Sequence, residues 1–200
     1  MTTGVLALQG DFGAHKRRLE ELGAAVVLVK KPEQLTDLGG LVIPGGESST
    51  LLKFLEDGNF LNQLREFVST KPTFGTCAGA ILLAKEVENP SQVSLGVLDI
   101  RVRRNGYGRQ IDSFISVSSS QKLAGEPLEL VFIRAPQIVK VGEDVEVLAT
   151  ECGDPVLVRQ GKVIASTFHP ELTTDLRVHR LFMDMVRTSE PSSSHQAEYF

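Results

Sequence analysis

Thr73-Phe74-Gly75-Thr76-Cys77-Ala78-Gly79-Ala80 is the stretch on which the fold turns. Thr73 to Thr76 suit a short buried strand, and they run without a linker into Cys77 and an apolar helical stretch from Ala78 to Ala84. Small residues on both sides of the cysteine, in the pattern G-x-C-x-G, let the chain turn sharply and lift one side chain above the edge of a sheet. This is the thiol version of a nucleophile elbow. A helix beginning at the cysteine adds a partial positive charge that favours thiolate over thiol. That matters because a free thiol, with a reference pKa of about 8.5, is only a few per cent ionised at neutral pH. The same residues also read as a tightly packed strand–helix turn whose cysteine merely fills a gap, so the rest of the chain has to decide.

Upstream, short apolar runs alternate with amphipathic helical patterns. Val5 to Leu8 reads as a buried strand; Phe12, Leu19 and Leu22 recur at helical spacing, and Gly23 suits a stop. Ala25 to Val29 and Gly40 to Ile43 read as strands. Helices follow from Ser49 to Glu56 and through Phe60, Leu61, Leu64, Phe67 and Val68. Doubly buried strands interleaved with helices predict a parallel sheet covered on both faces. Downstream the chain is richer in strands: Gly96 to Val102, Phe114 to Ser118, Glu129 to Ile133, Glu146 to Ala149, Pro155 to Val158 and Lys162 to Thr167. Arg159-Gln160-Gly161 reads as a hairpin turn. A last helix spans Asp175 to Val186. The expectation is one mixed sheet, parallel at its start, with antiparallel strands added later. One domain over 1–188 and a polar, Ser-rich, disordered tail over 189–200 complete the plan.

Three further segments bear on the cysteine. Phe168-His169-Pro170-Glu171 follows an apolar strand; a thiol nucleophile needs a base, and an imidazole needs a third group to fix its tautomer. In an extended His-Pro-Glu, residues i and i+2 point the same way. A surface loop with a chance carboxylate is the other reading. Pro44-Gly45-Gly46-Glu47-Ser48 falls at the carboxyl end of a predicted parallel strand, where sites in open α/β sheets gather. Its glycines leave backbone N–H groups free for a developing oxyanion. Glu47, Arg104 and Arg134 offer the acid and the arginines that a zwitterionic amino acid requires, although surface arginines are usually just solvated.

Composition narrows the classes. The chain of 200 residues suffices for one domain with a substantial core, and 42% hydrophobic with 23% charged residues is ordinary for a soluble protein. A net charge of −4 without a basic cluster argues against nucleic acid or anionic membrane as partner. No apolar run approaches the ~18 residues of a membrane span. The N-terminus lacks the basic region of a signal peptide, so the expected location is cytoplasmic. The two cysteines, Cys77 and Cys152, show no metal spacing; neither a metal nor a cofactor is implied, and Cys152 sits in a turn as an incidental residue.

The order PGGES, GTCAGA, FHPEL resembles the class I triad glutamine amidotransferases. More narrowly, LALQGDFGAH, LVIPGGESSTL, RRNGYGRQIDSF, VFIRAP and STFHPELTTDLRVH resemble the glutaminase subunits of pyridoxal 5′-phosphate synthase, over residues 4 to 187. Tyr107 stands where phenylalanine is expected and Ile115 where an acid is commoner; neither touches the triad. The resemblance implies a flavodoxin-like, three-layer α/β fold with a central mixed, mostly parallel sheet and helices on both faces. It implies Cys77 as nucleophile, His169 as general base and acid, and Glu171 as the group orienting His169. It places glutamine against Gly46, Glu47, Ser48, Arg104, Ile133 and Arg134. The oxyanion is expected at the Ala78 amide and the Gly45–Gly46 loop. It further implies vitamin B6 biosynthesis, with ammonia handed to a barrel-shaped synthase subunit in trans. Gln9 and His15 are expected on the docking face, His15 reading equally as a polar position on an exposed helix. The enzyme alternative is the glutaminase subunit of another amidotransferase, such as the histidine-pathway imidazole glycerol phosphate synthase. Such relatives usually carry G-x-C-L-G and lack the RNGYGRQIDSF segment. A non-catalytic regulatory relative should have lost Cys, His or Glu, and all three are present. A cysteine peptidase or redox sensor would bury the charges of Glu47 and the arginines unpaired.

Overall fold

The structure is a computed structural model that describes residues 2–56, 59–106, 113–118 and 122–189. Residues 190–200 of the expected tail, and Tyr107 with the middle of RNGYGRQIDSF, lie outside the described residues. In chain order the elements are β1 (Thr2–Leu6), α1 (Phe12–Glu21), β2 (Ala25–Val29), β3 (Leu38–Ile43), α2 (Ser48–Glu56), α3 (Phe60–Thr70) and β4 (Thr73–Thr76). Then come α4 (Ala78–Leu83), β5 (Ala84–Glu88), β6 (Leu98–Arg103), β7 (Ser113–Ser118), β8 (Leu128–Ile133) and β9 (Gln137–Val141). The chain closes with β10 (Glu146–Glu151), β11 (Asp154–Gln160), β12 (Val163–Ser166) and α5 (Arg177–Thr188).

A seven-stranded sheet in the order β10-β11-β12-β4-β3-β1-β2 forms the middle layer. Its five strands from β12 to β2 run parallel, and β11 and β10 add antiparallel at one edge. Side chains alternate between the two faces, as a period of two requires. On β3, Leu41 and Ile43 face one core and Val42 the other; on β12, Val163 and Ala165 oppose Ile164. The first core is closed by Leu51 and Leu55 of α2, Phe60 and Leu64 of α3, and Leu82 of α4. The second is closed by Leu19 of α1, Val178 and Phe182 of α5, and Phe132 of β8.

The later strands do not all join one sheet, as the sequence had suggested. β5-β6-β9 form a separate three-stranded sheet and β7-β8 a two-stranded ribbon. β5 and β9 have no counterpart in the local pattern. Ala84-Lys85-Glu86-Val87-Glu88 continues the helical stretch with no Gly or Pro to break it. It becomes a strand because Val87 and Glu88 pair with Val102 and Arg103, while Lys85–Asp99 and Glu86–Arg101 ion pairs bridge the two strands.

The elbow is held by close approach of backbones. α4 lies so near β3 that a Cβ on Gly79 would stand 2.1 Å from the Ile43 carbonyl oxygen. Backbone on both sides leaves no flexible atom to yield. Gly79→Ala is therefore expected to destabilise the protein by about 1–3 kcal/mol or more through overpacking, measured by guanidinium unfolding. An unchanged midpoint would show that α4 does not sit on β3 at this distance.

Candidate active site

Gln9, Gly45–Gly46, Cys77 and His169 each lie just past the carboxyl end of one of four adjacent parallel strands, β1, β3, β4 and β12. Cys77 opens α4 with φ 47° and ψ −101°, a left-handed backbone that non-glycine residues rarely adopt and that clusters at functional turns. Its amide N–H donates to the Ser166 carbonyl at 2.9 Å, and its own carbonyl accepts from Ile81 at 3.1 Å, so the strained turn is pinned from both sides. Gly45 is packed against the pair: a Cβ there would meet the His169 ring at 2.5 Å and the Cys77 Cβ at 3.3 Å.

His169 and Glu171 meet by a route other than the extended one expected. Pro170–Leu172 is a 3-10 turn with His169 at its start, and Leu172 N–H donates to the His169 carbonyl at 3.2 Å. The fixed φ of proline suits the first position of a helical turn as well as an extended strand. His169 Nδ1 lies 2.7 Å from Glu171 Oε1, with both side chains buried. Burial opposes a charge on His169, yet the Cys77 side chain beside it and the Glu171 carboxylate outweigh burial and push its pKa up to about 10. The free ring nitrogen, Nε2, makes no hydrogen bond of good geometry among the described residues. The Cys77 contact is thus one of proximity and charge, and such contacts commonly tighten only with substrate bound. Glu171 is buried as well, which disfavours its charge, but His15 and then His169 hold its carboxyl well below the usual range.

Above the pair opens a cleft of about 190 Å³, smaller than the ~300–1,000 Å³ typical of pockets for drug-sized ligands. Gly46, Glu47, Ser48, Arg104, Ile133 and Arg134 all line it, together with Cys77 and His169. Ala78 is fully buried and does not line it, although its amide begins α4. Desolvation alone would raise the Glu47 pKa, but the carboxylate accepts from the Thr50 hydroxyl and the Ser49 and Thr50 amides, which together outweigh it and pull the pKa down to about 2. Arg104 reaches Glu47 at 3.2 Å and the Ser49 hydroxyl at 2.9 Å. The arrangement offers a nucleophile and a base beneath opposite charges, suited to a small zwitterion carrying an acyl group.

Sequence reasoning missed Ile81 and Asn105, which also line the cleft, and Gln92, whose side-chain oxygen accepts from the Ser48 hydroxyl at 2.9 Å. Nothing in the pattern around Gln92 marks it, since it comes from a loop distant in sequence. Gln9 accepts from the Glu47 amide at 3.0 Å and so braces the glycine loop from below. The expectation for His15 needs correction. It is neither on an exposed helix face nor available to a docking partner: it is 0% exposed, because Ala14, His15 and Leu19 form the inward stripe of α1. Cys152 is an exposed free thiol in a turn, far from this chemistry in character. Among the described residues no group of three His, Cys, Asp or Glu side chains gathers to hold a metal. Among the same residues no helix is long and apolar enough to cross a membrane.

Comparison with known proteins agrees with the geometry. The profile of the SNO glutamine amidotransferase family matches residues 5–188. The pyridoxal 5′-phosphate synthase subunit PdxT of Koribacter versatilis is 66% identical over 187 residues, spanning 94% of this chain and 96% of its own. The subunit of the same name from Thermotoga maritima is 50% identical over 188 residues, 94% of this chain and 100% of its own. A crystal structure of a glutamine amidotransferase superposes with a TM-score of 0.87 at 48% identity, over 94% of this chain and 100% of that one. A putative GMP synthase subunit from Thermoplasma acidophilum, at 19% identity and a TM-score of 0.67 over 94% of both chains, shares the fold.

Because the Cys77 side chain is the first of the influences that raise the His169 pKa, Cys77→Ala should move the imidazole titration down from about 10. The check is the ring-proton or ¹⁵N titration of His169 by NMR in parent and variant. An unmoved titration would deny that thiol and imidazole form a pair.

Proposed function

We propose that this chain, which belongs to the SNO glutamine amidotransferase family, is the glutaminase subunit of a pyridoxal 5′-phosphate synthase. It hydrolyses L-glutamine to L-glutamate and ammonia, and another subunit of the synthase receives the ammonia. The observation that carries the assignment of roles is the buried 2.7 Å contact between His169 and Glu171, beside Cys77 at the floor of a cleft walled by Glu47 and Arg104.

In this reading Glu47 receives the α-ammonium of glutamine and Arg104, with Arg134, its α-carboxylate, while Ser48, Gly46 and Ile133 shape the passage for the side chain. The Cys77 thiolate attacks the side-chain amide carbon. Negative charge moves onto the carbonyl oxygen, where the Ala78 amide and the Gly45–Gly46 loop stabilise it. His169 gives its proton to the departing nitrogen, ammonia leaves, and a γ-glutamyl thioester remains. His169, now neutral, takes a proton from water as it attacks the thioester; glutamate departs and the thiolate is restored. Glu171 holds His169 in the tautomer and orientation that both half-reactions need. Residues 1–188 constitute the amidotransferase domain, 189–200 its appended tail, and Gln9 lies on the side from which the synthase subunit approaches. A cytoplasmic location suits a reaction that depends on a reduced thiol.

The test is glutamate release from glutamine with and without the synthase subunit. Stimulation by that subunit is expected, and silence with it would overturn the reading. Cys77→Ala should abolish turnover while the chain remains folded; retained activity would remove Cys77 from the mechanism. Glu171→Gln should slow kcat less than loss of His169 does, because it disturbs orientation and not the proton carrier itself.

A further inference from the structure

Two of the four histidines lie against the acid of this site and a third backs one of them, and the chemistry above uses only one of the three. His15 of α1 and His179 of α5 are both 0% exposed. His15 Nδ1 stands 3.0 Å from His179 Nε2. On the other side of the ring, His15 Nε2 lies 3.1 Å from the hydroxyl of Thr76, the residue before Cys77, and 3.4 Å from Glu171 Oε2. Phe74 meets both rings edge-on, with centroids 6.0 Å from His15 and 5.7 Å from His179. Arg18, one turn along from His15 on the same helix, donates to the Glu171 backbone carbonyl at 3.3 Å.

The proton positions follow from what each buried atom can find. Burial, with His15 beside it, pushes the His179 pKa down to about 3, so that ring is neutral. Its Nδ1 has no partner among the described residues. A neutral His179 that accepted at Nε2 would carry its only proton on Nδ1, as an orphaned buried N–H, the rarest kind of unpaired group. With the proton on His179 Nε2 instead, that N–H donates to His15 Nδ1 and only a lone pair is left bare. A neutral His15 then holds its own proton on Nε2, facing Glu171 and Thr76. The nitrogen carrying that proton lies 3.1 Å from the Thr76 hydroxyl and 3.4 Å from the second oxygen of Glu171, the latter too long for a well-formed hydrogen bond; that oxygen has no closer polar partner among the described residues.

We infer that His15, backed by His179, is a positioning residue for the glutaminase reaction: it clamps the Glu171 carboxylate from the side opposite His169 and so sets the orientation of the catalytic imidazole. The inference rests on the functional reading above. Glu171 is the link, since a carboxylate free to rotate would lose its alignment on His169 Nδ1. His15 touches no substrate and lines no part of the cleft, so its influence should appear in kcat and not in KM.

The experiment compares His15→Leu, His15→Gln and His15→Asn with the parent chain, each assayed for glutamate release in complex with the synthase subunit. The glutamine amide nitrogen occupies the place of imidazole Nε2 and faces Glu171; that of asparagine occupies the place of Nδ1 and faces His179. His15→Leu should lower kcat roughly ten- to a hundredfold, the scale on which outer partners of catalytic ligands act, with KM for glutamine unchanged. His15→Gln should recover most of the rate and His15→Asn little of it. A His15→Leu complex with parental kcat, or equal rates for the Gln and Asn variants, would overturn the inference. If His15→Leu does not fold, the Gln and Asn pair decides alone. A parent complex that releases no glutamate would instead overturn the glutaminase reading on which all of this stands.

Discussion

A carboxylate that is 2% exposed must be paired or it will take up a proton, and Glu171 is such a group. Moving an isolated charge into so dry a place would cost several kcal/mol even after relaxation. Much of the surrounding structure can be understood as the means of avoiding that cost. β12 and the 3-10 turn after it bring His169 to one oxygen, and α1 brings His15 towards the other and Arg18 to the backbone carbonyl. Breaking such an arrangement by removing one partner leaves an uncompensated charge, so the layer of α1 and α5 does more than cover one face of the sheet. It completes the electrostatics around the carboxylate that holds His169.

The elbow imposes a second constraint of the same kind. A cysteine with positive φ is strained, and strain persists only where the surroundings over-determine it. Here the ladder bond to Ser166, the start of α4 and the glycines at 45 and 79 leave the side chain of Cys77 one place to be. The carboxyl ends of β4 and β12 are neighbours in register, Ser166 opposite Thr76. Cys77 and His169 therefore meet because two adjacent parallel strands end at the same level, and the 91 residues between them carry no penalty in precision.

That explains which parts were legible in the sequence. The early strands and helices obey local rules: Ala25–Val29 is a run of apolar residues, Gly23 ends α1 with φ 79°, and Thr73–Thr76 leads directly into the cysteine. Motif residues could be placed because each follows a recognisable strand. What escaped was everything set by partners remote in sequence. Ala84–Glu88 is a strand only because β6 arrives to pair with its charged face. Gln137–Val141 is one only because it closes the same small sheet. Proline at 170 was compatible with two backbones, and its neighbours chose the tighter one. His15 looked like a polar surface residue because its inward stripe contains a polar group; the signal that could have exposed it was the second histidine at 179, on another amphipathic helix with an inward polar position.

Outside the buried pair, the cleft follows the opposite strategy. Glu47 caps α2 with its own carboxylate and is charged at any pH near neutrality, while Arg104 leans on it from across the mouth. The carboxylate end of that pair is 49% exposed, and exposed ion pairs contribute only about 0–1 kcal/mol. Separating it to admit the ammonium and carboxylate of the proposed substrate therefore costs little, and each partner would exchange one opposite charge for another. Placing strong, dry pairing around Glu171 and weak, wet pairing at Glu47 divides the labour. On the proposed mechanism, the groups that move protons are locked before substrate arrives, and the groups that recognise it are kept charged but free to let go.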